Sequence, residues 1–307
     1  MNMDKFKNYF FNLGSVLKKT AKAWVAADPF RQSAVVSYYA IFSIPALLVI
    51  IITCVGFAFG QEAIQGKISG QISGAMGEDT AKQVEEMIAK AGSQKNSLIA
   101  TIISIITLIL GATGVFAQLQ ASLNLIWEVK VVAKKKFLKT LKDKLFSFGL
   151  ILSIGFLLLI SLLLTTGLEA FSGWVKVHLP DFMLVVFKLL NFIITFGGIS
   201  ALFALMFKIL PDAKIQWRDV WIGAIATSLL FILGKFALGI YFAKASPGST
   251  YGAAGSIILI MLWVSYSSMI LFFGAEFTKQ YAISNGREIK PAADAEMIDA
   301  AEKEKKK

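Results

Sequence analysis

Cysteine, histidine and charge are all scarce in this chain, and each scarcity excludes a class of function. The one cysteine, Cys54, has no second cysteine to meet, so no intrachain disulfide exists. The one histidine, His178, leaves no His-x-His pair, and no cluster of acids accompanies it. A metal-dependent nuclease needs several His, Asp or Glu ligands converging on a phosphate. No Ser or Cys nucleophile has an adjacent base, and no GxxxxGK[ST] phosphate loop occurs, so ATP-driven work by this chain itself is not expected. We therefore expect no enzyme, no cofactor and no metal, and read His178 as a loop residue near Trp174. Charged residues make up only 17% of the chain against 56% hydrophobic, a balance unlike that of a soluble domain.

What is present in quantity is long apolar sequence. Six runs stand out, at residues 33–60, 97–126, 145–168, 182–207, 220–243 and 256–277. About 20 helical residues cross a hydrocarbon core of about 30 Å, so each run is long enough to span a bilayer. The fold class expected is an all-α integral membrane protein with six transmembrane helices.

Basic residues orient it. Most of the 31 lysines and arginines lie in the N-terminal stretch, in the loop from Lys130 to Lys144, around Lys208, Lys214 and Arg218, and in the tail from Lys279 onward. Six crossings put all of these on one side, and basic loops stay in the cytoplasm. N- and C-termini are both expected inside a bacterial cytoplasmic (inner) membrane. The net charge of +11 then reflects topology and anionic headgroups at the lysine loop, not nucleic acid.

Three segments flank the spans. Residues 1–28 place Phe6, Phe10, Leu13, Leu17 and Trp24 at helical spacing, with Lys18, Lys19 and Lys22 largely elsewhere on the wheel. That division predicts an amphipathic helix lying in the interface, and no cleavable signal peptide. Asp28 and Pro29 stop it and start the next helix, with Asp28 as N-cap. Pro45 should kink that helix. Residues 29–280 form the six-helix domain, interrupted by an outward insertion at 61–96 whose Ile64–Met76 and Val84–Ala91 stripes predict two short helices. The hairpin 244–256, rich in glycine and small polar residues, reads as a tight outward turn. Residues 281–307 read as a charged, solvated cytoplasmic tail.

Several ordered motifs carry a family resemblance. They are Tyr38-Tyr39 followed by Ser43 and Pro45, Gly114 to Trp127 with Gln118, Gln120 and Asn124, then Leu210-Pro211, Trp217-Arg218-Asp219, Gly223-Ala224, Tyr251-Gly252-Ala253 and Gly274-Ala275-Glu276. In order and spacing they resemble the YihY/BrkB family of bacterial inner-membrane proteins over roughly residues 34–277. The resemblance implies six spans with both ends inside. It also brings the family's links to virulence, serum resistance, envelope or lipid transport and an older ribonuclease label.

Polar residues inside apolar spans mark helix contacts or a cavity. The candidate polar cavity comprises Tyr38, Tyr39, Gln118, Gln120, Asn124, Lys235, Ser265, Tyr266 and Glu276. The alternative for the same groups is hydrogen-bonded glue between helices. Glu276 sits level with Arg218, Arg31 and Glu128, which predicts an ion pair to one of the arginines. Lys235 lies deeper, snorkelling or facing a polar site, and Lys188 near an outer span end is read as a snorkeler. The expected function is a transporter-like or lipid-handling role without an ATPase. The rivals are a non-transporting scaffold or envelope-integrity protein and, less favoured, a ribonuclease. Membrane lipids are the expected partners, and homo-oligomerisation is left open.

Overall fold

A computed structural model describes residues 3–43, 60–76, 98–132, 181–245 and 255–298, together with residues 78, 81–82, 84–86 and 89. Cys54, Pro45, His178, the run 145–168 and most of the hairpin 244–256 lie outside the described residues.

Helix α1 (Met3–Ala26) begins the chain. Its buried residues Val16 and Thr20 and its half-buried Trp24 recur at a spacing of four, which places them on one stripe. That stripe faces protein: the Trp24 Nε1 donates to the Met269 carbonyl at 3.2 Å, and its ring meets Phe273 edge-on at 5.8 Å. The sequence pattern puts Trp24 on the apolar stripe of a helix expected to lie in the membrane interface. The indole goes instead to a carbonyl of a neighbouring helix, because its N–H needs an acceptor when removed from water. Leu17, a quarter-turn away, remains 43% exposed.

Asp28 marks the break between α1 and α2 (residues 29–43), but not as an N-cap. An N-cap has extended backbone, whereas Asp28 is left-handed, with φ 51°. Its N–H donates to the Val25 carbonyl at 3.2 Å, and its own carbonyl accepts from the Gln32 N–H at 3.3 Å. One residue thus ends one helix and starts the next, and Pro29 follows at the position where a missing N–H costs nothing. Helix α3 (Gln61–Met76) forms the first half of the insertion, and the described residues between 78 and 89 that have assigned structure are helical too.

Four long helices follow among the described residues: α4 (Leu98–Ile126), α5 (Asp181–Ile209), α6 (Trp217–Ala245) and α7 (Gly255–Ser284). Among the described residues, three stretches are long and apolar enough to cross a membrane: Leu189–Ile209, Trp217–Phe242 and Ile257–Ser284. Their outer faces agree. On α6, Leu229, Leu233, Phe236 and Ile240 recur on one face and are all exposed, which a helix in water would not sustain.

Helices α6 and α7 pack antiparallel through a reciprocal pair of small residues. A methyl group on Gly223 would overlap the Thr278 hydroxyl, and one on Gly274 would overlap the Thr227 hydroxyl. Each threonine returns its own proton to the carbonyl four residues back, Thr227 to Gly223 at 2.6 Å and Thr278 to Gly274 at 2.7 Å. No hydroxyl is stranded in the contact. Small residues of this kind let two backbones approach where hydrocarbon offers no hydrophobic drive.

At one end the bundle is fastened by short strands. Strand β1 (Val129–Val131) follows α4, β2 (Ala213–Lys214) joins α5 to α6, and β3 (Lys290–Pro291) and β4 (Ala295–Met297) follow α7. β4 pairs antiparallel with β1, with Lys130 opposite Glu296, and β3 pairs antiparallel with β2. The segment 287–298, read from composition as solvated tail, is therefore a folded strap. Its partners come from loops about 80 and 160 residues earlier, and no local window contains them. The apolar core lies toward this end, around Leu123, Trp127, Phe207 and Phe272.

Candidate functional site

Two polar clusters occupy the strand end. The first is built on Asp212, in the turn between α5 and β2. Asn124 of α4 donates its Nδ2 to the Asp212 carboxylate at 2.8 Å and accepts the Asp212 backbone N–H at 2.8 Å. Gln120, one turn earlier on α4, adds a longer contact at 3.4 Å. The Asp212 carbonyl accepts the Ala292 N–H at 2.8 Å, tying the strap to the same turn. All three side chains sit where a run of apolar helix ends, so each polar atom has to find its partner inside the protein.

The second is a cavity of about 750 Å³ between α1, α2, α4 and α7. Ala23, Ala26, Leu125 and Ile298 supply its apolar wall, and Asp28, Arg31, Glu128, Glu276 and Lys279 supply its charges. Lys279 is the hub. Its ammonium donates to the Ile126 carbonyl at the end of α4 (2.8 Å), pairs with Glu128 at 3.0 Å and lies 3.9 Å from Glu276. Glu276 is 2% exposed and also accepts from Gln280 Nε2 at 2.7 Å. A carboxylate so buried is tolerated because it has both a counter-ion and a hydrogen bond. At the far side Arg31 pairs with Asp28 at 2.8 Å, and both side chains are largely exposed.

Two non-glycine residues in this fold have positive φ among the described residues, Asp28 and Glu128 (φ 59°), and both line this cavity. The left-handed conformation costs an L-residue about 1–3 kcal/mol. Each holds a carboxylate at the rim just past a helix end.

The polar residues expected to share one cavity are divided among separate contacts. Gln120 and Asn124 serve Asp212. Gln118 reaches Ser122 on its own helix at 3.3 Å, and Ser265 meets Ser33 of α2 at 3.0 Å. The Tyr39 ring covers Gly114, Tyr266 covers Gly234, and Tyr38 is 55% exposed. Lys235 is exposed on α6 and joins none of them. Of the expected ion-pair residues, Arg31, Glu128 and Glu276 do line one cavity, but the pairing differs. Glu276 pairs with Lys279, Arg31 pairs with Asp28, and Arg218 is exposed. Sequence reading missed Lys279, although its spacing of three from Glu276 was a usable signal. It also missed Asp212, for which a turn residue gives no periodic signal, and the ion pair of Arg287 with buried Asp219 at 2.7 Å. Among the described residues, no group of three or more His, Cys, Asp or Glu side chains is placed to hold a metal ion.

Long apolar helices and small-residue crossings define a helical membrane protein. The chain belongs to the family described as "Virulence factor BrkB", whose model matches residues 20–298. The resemblance drawn from the motifs is thereby established. Relatives named only "UPF0761 membrane protein" match at moderate identity. One from Tolumonas auensis is 29% identical over 186 residues, covering 60% of this chain and 58% of that relative. One from Saccharophagus degradans is 25% identical over 277 residues, covering 90% and 61%. One from Rhodospirillum centenum is 32% identical over 188 residues, covering 60% and 39%. The chain thus spans about two-fifths to three-fifths of the length of these relatives. No solved structure matches it.

Proposed function

We propose that this protein handles an amphipathic, lipid-like molecule at the cytoplasmic face of the bacterial inner membrane, without catalysis or ATP hydrolysis of its own. The observation that carries the reading is the cavity between α1, α2, α4 and α7. It combines an apolar wall with paired charges, the lining that a polar head on an apolar tail requires. Its side follows from charge: the strand end carries Lys130, Lys208, Lys214, Arg218 and Lys279, the sign retained in the cytoplasm. Full-length protein in liposomes should accelerate, without nucleotide, the crossing of a fluorescent phospholipid between leaflets. Arg31→Ala should slow that crossing while the protein still inserts. Leaflet exchange no faster than in protein-free liposomes would overturn the transport reading.

A second reading, a scaffold that holds envelope partners, draws on the polar span residues being bonded to one another. Ser33–Ser265 and the α6–α7 interlock leave those parts of the interior occupied. In that case the liposomes stay inert, and partner capture in cells depends on the loops and outer helix faces instead.

A further inference from the structure

We propose that a crevice between α5 and α6, in the half of the bundle away from the strands, holds an anionic phospholipid with its phosphate on Lys235. This extends the amphiphile reading above and takes its membrane side from it: with the strand end cytoplasmic, the crevice belongs to the outer leaflet. The two helices run antiparallel and meet where Phe203 of α5 touches Phe231 of α6 edge-on, with ring centres 5.7 Å apart. A step of eleven residues is three helical turns and stays on the same face. On α5 that step leads from buried Ser200, Phe203 and Ala204 to Leu189, Phe192 and Ile193, each more than half exposed. On α6 it leads from fully buried Ala224 to exposed Lys235. The faces that form the core near the strands are thus uncovered further along both helices.

Lys235 does not belong to the lipid-facing stripe of α6. Leu229, Leu233, Phe236 and Ile240 form that stripe, and each lies at least about 100° round the helix from Lys235. The lysine instead continues the row of Ala224 and Ser228, both buried in the core. Phe242, two turns further on, is buried again, so the opening at Lys235 is bounded along α6 by Phe231 and Phe242. Counting back from Phe242, where the apolar stretch of α6 ends, places Lys235 about 10 Å inside the membrane.

Charge and wall together name the occupant. Among the described residues Lys235 enters no ion pair or hydrogen bond, and an ammonium at that depth needs a counter-charge. A lysine binds phosphate as a point charge, so a net-negative headgroup suits it better than one that carries its own cation. The facing wall is apolar: Leu189, Phe192 and Ile193, with Phe196 stacked on Phe192 at 5.9 Å. A small water-soluble anion would leave that wall uncovered, whereas an acyl chain below the phosphate covers it.

The test measures binding of dioctanoyl phosphatidylglycerol and dioctanoyl phosphatidylcholine to full-length protein in a neutral detergent, with glycerol phosphate alongside. Phosphatidylglycerol should bind about tenfold more tightly than phosphatidylcholine, the size of one charge-assisted contact. Lys235→Gln should remove that preference and Lys235→Arg should keep it. Lys244→Gln, an exposed lysine near the end of the same helix, should also keep it. Phe192→Ser should weaken both lipids together. A preference that survives Lys235→Gln, or one lost equally in Lys244→Gln, overturns the site and leaves the amphiphile reading intact. Glycerol phosphate binding as tightly as the lipid overturns the role given to the apolar wall. Equal lipid affinities, with Lys235→Gln changing the oligomeric state instead, would put a second copy of the chain in the crevice and overturn the lipid. Binding of neither lipid overturns the crevice and the amphiphile reading together. A Lys235-dependent preference supports the crevice even where leaflet exchange in liposomes fails, so the two readings fall separately.

Discussion

Asn124 holds Asp212 from both sides, donating to its carboxylate and accepting its backbone N–H, each at 2.8 Å. The amide side chain offers a donor and an acceptor side by side, so one residue meets both groups. Through this residue α4 fixes the turn from α5 to β2, and Asp212 in turn fixes Ala292 of the strap. Asn124→Ala should lower stability by about 1–3 kcal/mol, because a buried acceptor and a buried N–H lose their partner together. Asn124→Asp should be worse, since it sets like charges side by side. Thermal unfolding of the detergent-solubilised protein checks both, and an unchanged midpoint for Asn124→Ala would show the contact to be idle.

Gly223 and Gly274 exist to admit Thr278 and Thr227. Gly274→Leu should therefore separate α6 from α7 and yield protein that aggregates on extraction. Gly274→Ala alone should destabilise, and adding Thr227→Ala should recover part of the loss because it removes the clashing hydroxyl and methyl. A double variant no better than Gly274→Ala would mean that the two residues are not energetically coupled.

Lys279 neutralises Glu276, whose side chain is 3% exposed. Removing one partner of a buried pair costs about 3–5 kcal/mol, so Lys279→Met should be among the most damaging single changes at this end. Lys279→Met combined with Glu276→Gln should regain a large share, as no carboxylate then remains buried there without its cation. Unfolding midpoints of the two singles and the double make the cycle.

The strap depends on Arg287 and Asp219, 2.7 Å apart, with the Asp219 side chain 1% exposed. Arg287→Ala should loosen residues 287–298 and raise hydrogen exchange at β3 and β4 together with their partners β1 and β2. Asp219→Asn in the same chain should restore protection in part. Faster exchange confined to β3 and β4, with β1 and β2 untouched, would argue against a shared clamp.

Trp24 ties α1 to the bundle through Met269 and Phe273. Trp24→Ala should cost about 1–3 kcal/mol, less than for a fully buried indole, and should release α1. Trp24→Phe should keep much of the packing and lose only the hydrogen bond. Hydrogen exchange over residues 13–26 distinguishes the two.

The sequence by itself determined that this is a helical membrane protein, because long apolar runs are a property of composition along the chain and need no tertiary partner. It also determined the family, carried by motifs such as Tyr38-Tyr39 and Gly274-Ala275-Glu276. It placed Glu276, Arg31 and Glu128 at one level, since rise per residue converts position into depth. Tertiary structure decided the rest. Which cation meets Glu276 depends on the rotation of α7 against α4, and rotation is set by packing that a single helix does not encode. Trp24 faces protein because α7 happens to present a carbonyl to it. The strap looks like tail because its few charged and small residues pair with strands from distant loops. The αL backbone at Glu128 is likewise imposed from outside, since glutamate does not favour it locally, whereas Asp28 is of a type that tolerates it. Hydrophobicity is local and additive, so it is legible in sequence; partnership between polar groups is pairwise and long-range, and only the folded chain fixes it.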